Sequence, residues 1–131
     1  MASRHLVCVL AELCLTAGCL QEGHRALASI GEIDRQAFCA PEVHRIEGEL
    51  IARSGRPSDS EAHFRAAIKV ARSRGEKSLD LRASMSLARL LHGQDRRDEA
   101  RQALAEVYGW FTEGFDTHDL KEAKALLDAL A

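Results

Sequence analysis

Aromatic side chains are scarce in this sequence, at 5% of its 131 residues, and proline is limited to Pro41 and Pro57. A sheet would call for Val, Ile, Thr and Tyr, whereas Ala and Leu do most of the apolar work here, which suits close-packed helices. No run of about 18 uncharged apolar residues occurs, so no transmembrane helix is expected. Basic charge is not in excess: 18 Lys and Arg face 20 Asp and Glu, for a net charge of −2. Without a global cationic field, neither nucleic acid nor an anionic membrane is expected as a partner. No G-x-x-x-x-G-K-[ST] phosphate loop is present, so no nucleotide cradle is expected. The four cysteines, Cys8, Cys14, Cys19 and Cys39, form no C-x-x-C pair, and the six histidines are scattered singly. That spacing predicts free thiols and no metal site, and hence no cofactor. No base and nucleophile stand in an arrangement that would activate either, so the sequence reads as non-catalytic.

What the sequence does have is one phrase used three times. A helix of small and apolar residues meets a Gly or Asp turn and is followed by a second helix with fixed small and apolar positions. The copies turn at Leu15-Thr16-Ala17-Gly18, Ala52-Arg53-Ser54-Gly55 and His92-Gly93-Gln94-Asp95. The period is 37 residues from Gly18 to Gly55 and 40 from Gly55 to Asp95. Such periods mark stacked helical hairpins, because one hairpin cannot bury its apolar face alone.

Seven helices are predicted within a single domain, 1–131. They run from about Arg4 to Ala17, Gln21 to Ile33, from after Pro41 to Arg53, Pro57 to Ser73, Lys77 to Leu91, Arg96 to Phe111 and Thr117 to Leu130. The hairpins thus span about 4–33, 42–73 and 77–111, with a capping helix over 117–130. Pro57 is preset for a first helical turn, and Ser58 with Glu61 has capping-box spacing. Gly75 after Arg72 and Arg74 reads as a C-terminal stop. Asp116 or Thr117 is placed to cap the last helix. That helix carries Leu120, Ala123, Leu126, Leu127 and Leu130 on one stripe, as the end of an open stack requires.

These residues resemble the tetratricopeptide repeat, in which small residues stand where paired helices touch. The second copy supplies Gly48, Gly55, Ser60, Phe64 and Ala67 at the family's positions. The third supplies Ala88, Asp95, Ala100, Leu104 and Val107, and the first Ala11, Gly18, Gly23, Leu27 and Ile30. The copies exceed the family's usual length of about 34 residues, which implies longer helices or loops. A narrower resemblance rests on Ser78-Leu79-Asp80-Leu81-Arg82-Ala83-Ser84-Met85-Ser86-Leu87-Ala88-Arg89-Leu90 and on Val107-Tyr108-Gly109-Trp110-Phe111-Thr112-Glu113-Gly114-Phe115-Asp116-Thr117. Both segments are similar to the C-terminal repeats of bacterial signalling proteins that join such repeats to an ATPase and often a nucleotide cyclase. The resemblance implies an all-α superhelix of three hairpins plus a capping helix. It also implies the docking or sensory part of such a system, without its catalysis.

In that family the first helix of each hairpin lines a concave groove. Mapped by the turns, the second copy places Glu42, Arg45, Glu49 and Arg53 there, and the third places Arg82, Met85, Arg89 and His92. The first copy adds His5, Cys8, Glu12 and Leu15. An arginine-rich lining forks carboxylates, so the expected partner is an acidic peptide or the C-terminal carboxylate of another protein. The competing expectation is a solvated face with pairs such as Glu49 to Arg45 and Arg53.

Tyr108, Trp110, Phe111 and Phe115 gather four of the six aromatics within eight residues. They read either as an exposed hot spot or, more simply, as the buried joint to the capping helix. Leu15 to Cys19 resembles a lipoprotein cleavage box after the apolar stretch Leu6 to Ala11. Glu12, Thr16 and the repeat register argue instead for a cytoplasmic protein. The uncapped first hairpin makes a homodimer the alternative assembly.

Overall fold

The computed structural model describes residues 13–14, 16–28 and 40–131. The described residues are all-helical. Among them six helices follow one another: α1 (Leu20–Ala28), α2 (Ala40–Arg53), α3 (Pro57–Arg74), α4 (Lys77–Gly93), α5 (Arg97–Tyr108) and α6 (His118–Leu130). Most of the expected first helix, the end of the second, and His5, Cys8, Glu12 and Leu15 lie outside the described residues.

The corners are built by backbone chemistry. Gly18, Gly55, Gly75 and Asp95 have φ of +81°, +85°, +68° and +60°. At each, the following amide reaches back to a carbonyl of the preceding turn. Cys19 N–H donates to Cys14 O at 2.8 Å, Arg56 to Ile51 at 3.2 Å, Glu76 to Ala71 at 2.9 Å and Arg96 to Leu91 at 2.9 Å. This is the Schellman arrangement, which satisfies helix-end carbonyls through one left-handed residue. Asp95 does the work of the missing third glycine, in a conformation that Asp tolerates better than most side chains.

The corners are so tight that the residue after the left-handed one already starts the next helix. Arg56, Glu76 and Arg96 are the helix-start residues, and none makes a side-chain cap. The expected capping box of Ser58 and Glu61 is therefore not formed, since Arg56 holds the cap position and Pro57 the first turn. Glu61 instead accepts hydrogen bonds from Arg65 and Arg96. Thr117 holds the N-cap position of α6, but its side chain makes no capping bond: the hydroxyl donates backwards to Gly114 O at 2.7 Å. The C-terminal carbonyls of α6 are held by Arg97, which donates to the oxygens of Ala129, Leu130 and Ala131.

Small residues set the helix spacing. A Cβ on Gly48 would stand 2.6 Å from Phe64 Cε1, so α2 and α3 approach as closely as they do only because position 48 has no side chain. Phe64, Ala67, Ala88, Ala100, Leu104 and Val107 are fully buried, as the repeat register anticipates. Each helix packs on the next in sequence. In addition α2 lies against α4, and α4 against α6. The first helices of successive hairpins thus stand side by side as one continuous face.

Candidate functional site

That face carries the expected groove residues, and the structure sorts them. Arg45 on α2 joins Arg82, Met85 and Arg89 of α4 around one polar cavity of about 280 Å³. The opposite wall comes from α6, with His118, Asp119 and Glu122. Arg53 and His92 are exposed in the last turns of α2 and α4, and neither lines this cavity. Glu49 does not line it either; it is half-buried and makes no ion pair among the described residues.

Two expectations need correction. Arg45 is not a solvated groove residue: it is 8% exposed and grips Glu42 with two hydrogen bonds, of 3.2 and 2.9 Å. The acid it grips is Glu42, one turn earlier on α2, and not the Glu49 of the expected pair. Met85 is 3% exposed and belongs to the hydrophobic cluster of α3–α6, because the flanks of α4 are covered by both α2 and α6.

The arginines form a cross-helix row. Arg82 Nε donates to Asp119 Oδ2 at 2.9 Å, and its Nη1 lies 3.8 Å from Glu42 Oε2. Arg89 Nη2 stands 3.6 Å from Glu122 Oε2, and His118 Nε2 is 3.2 Å from the other oxygen of Glu122. The hydrogen bond from Arg82 to Asp119 holds the guanidinium yet more firmly in its charged form, against partial burial. The acidic charge expected on a partner is thus already supplied from within the protein. About half of each of the Arg82 and Arg89 side chains still faces solvent.

A larger cavity of about 590 Å³ lies between α3 and α5, floored by Leu87 and Leu91 of α4. Arg65, Lys69 and Arg72 line one wall and Glu99 and Glu106 the other. At its edge the fully buried Asp80 accepts a 2.8 Å bond from Arg72 and a 3.0 Å bond from Ser84. Arg72 also lies over the Trp110 ring, 5.0 Å from its centroid. The aromatic cluster is therefore split. Tyr108 and Phe111 pack on the core, while Trp110 and Phe115 remain 38% and 46% exposed.

One constellation is not anticipated by the sequence pattern. His44 and Glu47 on α2 meet His63 on α3, with their ligand-type atoms all within 4.8 Å of one another. Its only local signal is a His-x-x-Glu spacing on one helix face, and His63 joins it through helix packing alone.

Among known proteins, no family model, no curated protein and no solved structure matches this sequence.

Proposed function

We propose that the protein is a non-catalytic protein-interaction module of tetratricopeptide type. On this reading it docks a carboxylate-bearing peptide across the face of α2, α4 and α6. The observation that carries the reading is the row Glu42–Arg82–Asp119, which crosses three helices and leaves the guanidinium half open. Because nearly half of the Arg82 side chain stays open to solvent, a peptide carboxylate can take a charge-assisted bond there in competition with Glu42 and Asp119. Selectivity would then come from the alternation of signs, which rejects a uniformly acidic or basic ligand. Service as the docking or sensory part of a bacterial signalling system, in the cytoplasm, belongs to the same proposal and rests on the sequence resemblance.

Selection from a displayed peptide library tests it, with wild type compared with an Arg82→Glu, Arg89→Glu variant. Arg45 is left intact because its reversal would strand Glu42. Wild type should enrich peptides carrying Asp or Glu, and the folded double variant should lose them. Equal enrichment by both, or no enrichment, overturns the reading.

A second reading has its own observation: Leu13 is 61% exposed beside α1. A second copy of the protein laid over that hairpin would remove it from water. Light scattering across a concentration series should then show a dimer that Leu13→Lys abolishes.

A further inference from the structure

His44 and Glu47 lie three residues apart on α2 and so share one helix face. His63 projects from α3, the antiparallel neighbour. Its Nδ1 stands 3.4 Å from His44 Nδ1 and 3.4 Å from Glu47 Oε2. The two rings are 5.6 Å apart at their centroids and tilted by 37°, with both Nδ1 atoms turned to the same spot. All three side chains are half-buried.

Those separations are long for direct bonds, since N–H donors in proteins sit about 2.7–3.2 Å from their acceptors. They suit an ion between the groups. With metal–ligand distances of about 2.0–2.1 Å, the edge of a tetrahedron is about 3.3–3.4 Å. Two of the three edges of the His44–Glu47–His63 triangle have that length. The donor set is two imidazole nitrogens and one carboxylate oxygen, which selects zinc-class divalent ions over calcium or magnesium. Among the described residues this is the one group of His, Cys, Asp and Glu that converges in this way.

Access is also built in. Both histidines line a surface depression of about 390 Å³ between α2 and α3, with Arg56 and Asp59 at its rim. Among the described residues three protein ligands converge, which leaves one tetrahedral position for a further group, as in sites that are not closed structural ones.

We propose that His44, Glu47 and His63 bind one zinc-class divalent ion, whose fourth position opens into this depression and takes water or an anion. The site lies on the α2–α3 hairpin and is independent of the arginine row.

The test is titration of the chelator-stripped, full-length protein with Zn²⁺ and Co²⁺, in a background where Cys8, Cys14, Cys19 and Cys39 are Ser so that thiolates do not compete. One ion should bind per molecule, with imidazole rather than thiolate character in the Co²⁺ spectrum, while Mg²⁺ should not bind. His44→Ala and His63→Ala should each weaken binding at least about 100-fold, the upper range for losing a group that merely supports a ligand. Glu47→Gln, nearly isosteric, serves as the variant that keeps the fold and should weaken binding by about tenfold. Zn²⁺ should shift the imidazole NMR signals of His44 and His63 and leave those of His24, His92 and His118 in place. Absence of stoichiometric binding, unchanged affinity in the folded variants, or shifts at the other histidines instead overturns the proposal.

Discussion

Ser60 Oγ donates a 2.7 Å hydrogen bond to the carbonyl oxygen of Gly48, entirely out of contact with water. One helix of the second hairpin thereby ties itself to the backbone of the other, at the position where a missing side chain lets them touch. Because Phe64 closes the same gap, the three residues act as one packing unit.

Gly48→Ala should therefore destabilise the protein by about 1–3 kcal/mol through overpacking, although alanine is the better helix former. The Cβ has nowhere to go, since Phe64 is fully buried and cannot swing aside. Urea denaturation measures the change. A stabilised variant would mean that α2 and α3 can separate at little cost.

The Arg72–Asp80 pair should respond asymmetrically to its two deletions. Arg72→Ala leaves the buried Asp80 carboxylate with Ser84 alone, and a cost of about 3–5 kcal/mol is expected. Asp80→Asn leaves Arg72, whose side chain is partly exposed and can rehydrate, so about 1–3 kcal/mol is expected. Equilibrium unfolding of both variants checks the order, and an equal or inverted cost would refute it.

Glu61 provides the pH dependence. The hydrogen bond from Arg96 is the largest influence and, with Arg65, holds its carboxyl below the ordinary glutamate value despite partial desolvation. A depressed folded-state value stabilises the protein above the unfolded-state value, and that contribution is lost as pH falls through the depressed one. The melting temperature of wild type should therefore exceed that of Glu61→Gln near neutral pH. The gap should close under acid conditions, where the native carboxyl is protonated too. A gap independent of pH would remove the ionic origin.

Asp95→Gly should stabilise by up to about 1 kcal/mol, because a residue at φ +60° without a Cβ escapes left-handed strain. Thermal unfolding reads the effect. A loss of stability instead would show that the Asp95 side chain matters to the corner.

The corners are legible in the sequence because their chemistry is local. A left-handed residue, Pro57 directly beyond one of them, and small residues at fixed intervals are all written within a few positions of the structure they produce. Glu61 misleads for the complementary reason: its capping spacing is local, but its partner Arg96 arrives from another hairpin. Met85 and Arg45 mislead likewise, since helical periodicity assigns a face but not how many neighbours cover it. The His44–Glu47–His63 cluster is the sharpest case. Single histidines far apart in sequence become neighbours only after α2 and α3 pack, and that packing is decided at Gly48, a position that says nothing about ligands.

The backbone closure of the corners also makes the fold a ruler. A Cβ on Gly93 meets no neighbouring heavy atom within 4 Å, so a reporter attached there would stand in solvent. Arg53, exposed at the same place in the preceding corner of this type, offers a second attachment point one repeat away. The distance between two such reporters would stay constant while the hairpins remain stacked and change when they slide or splay. Repetition thus provides matched gauge marks along the molecule, with which bending of the stack can be followed in real time.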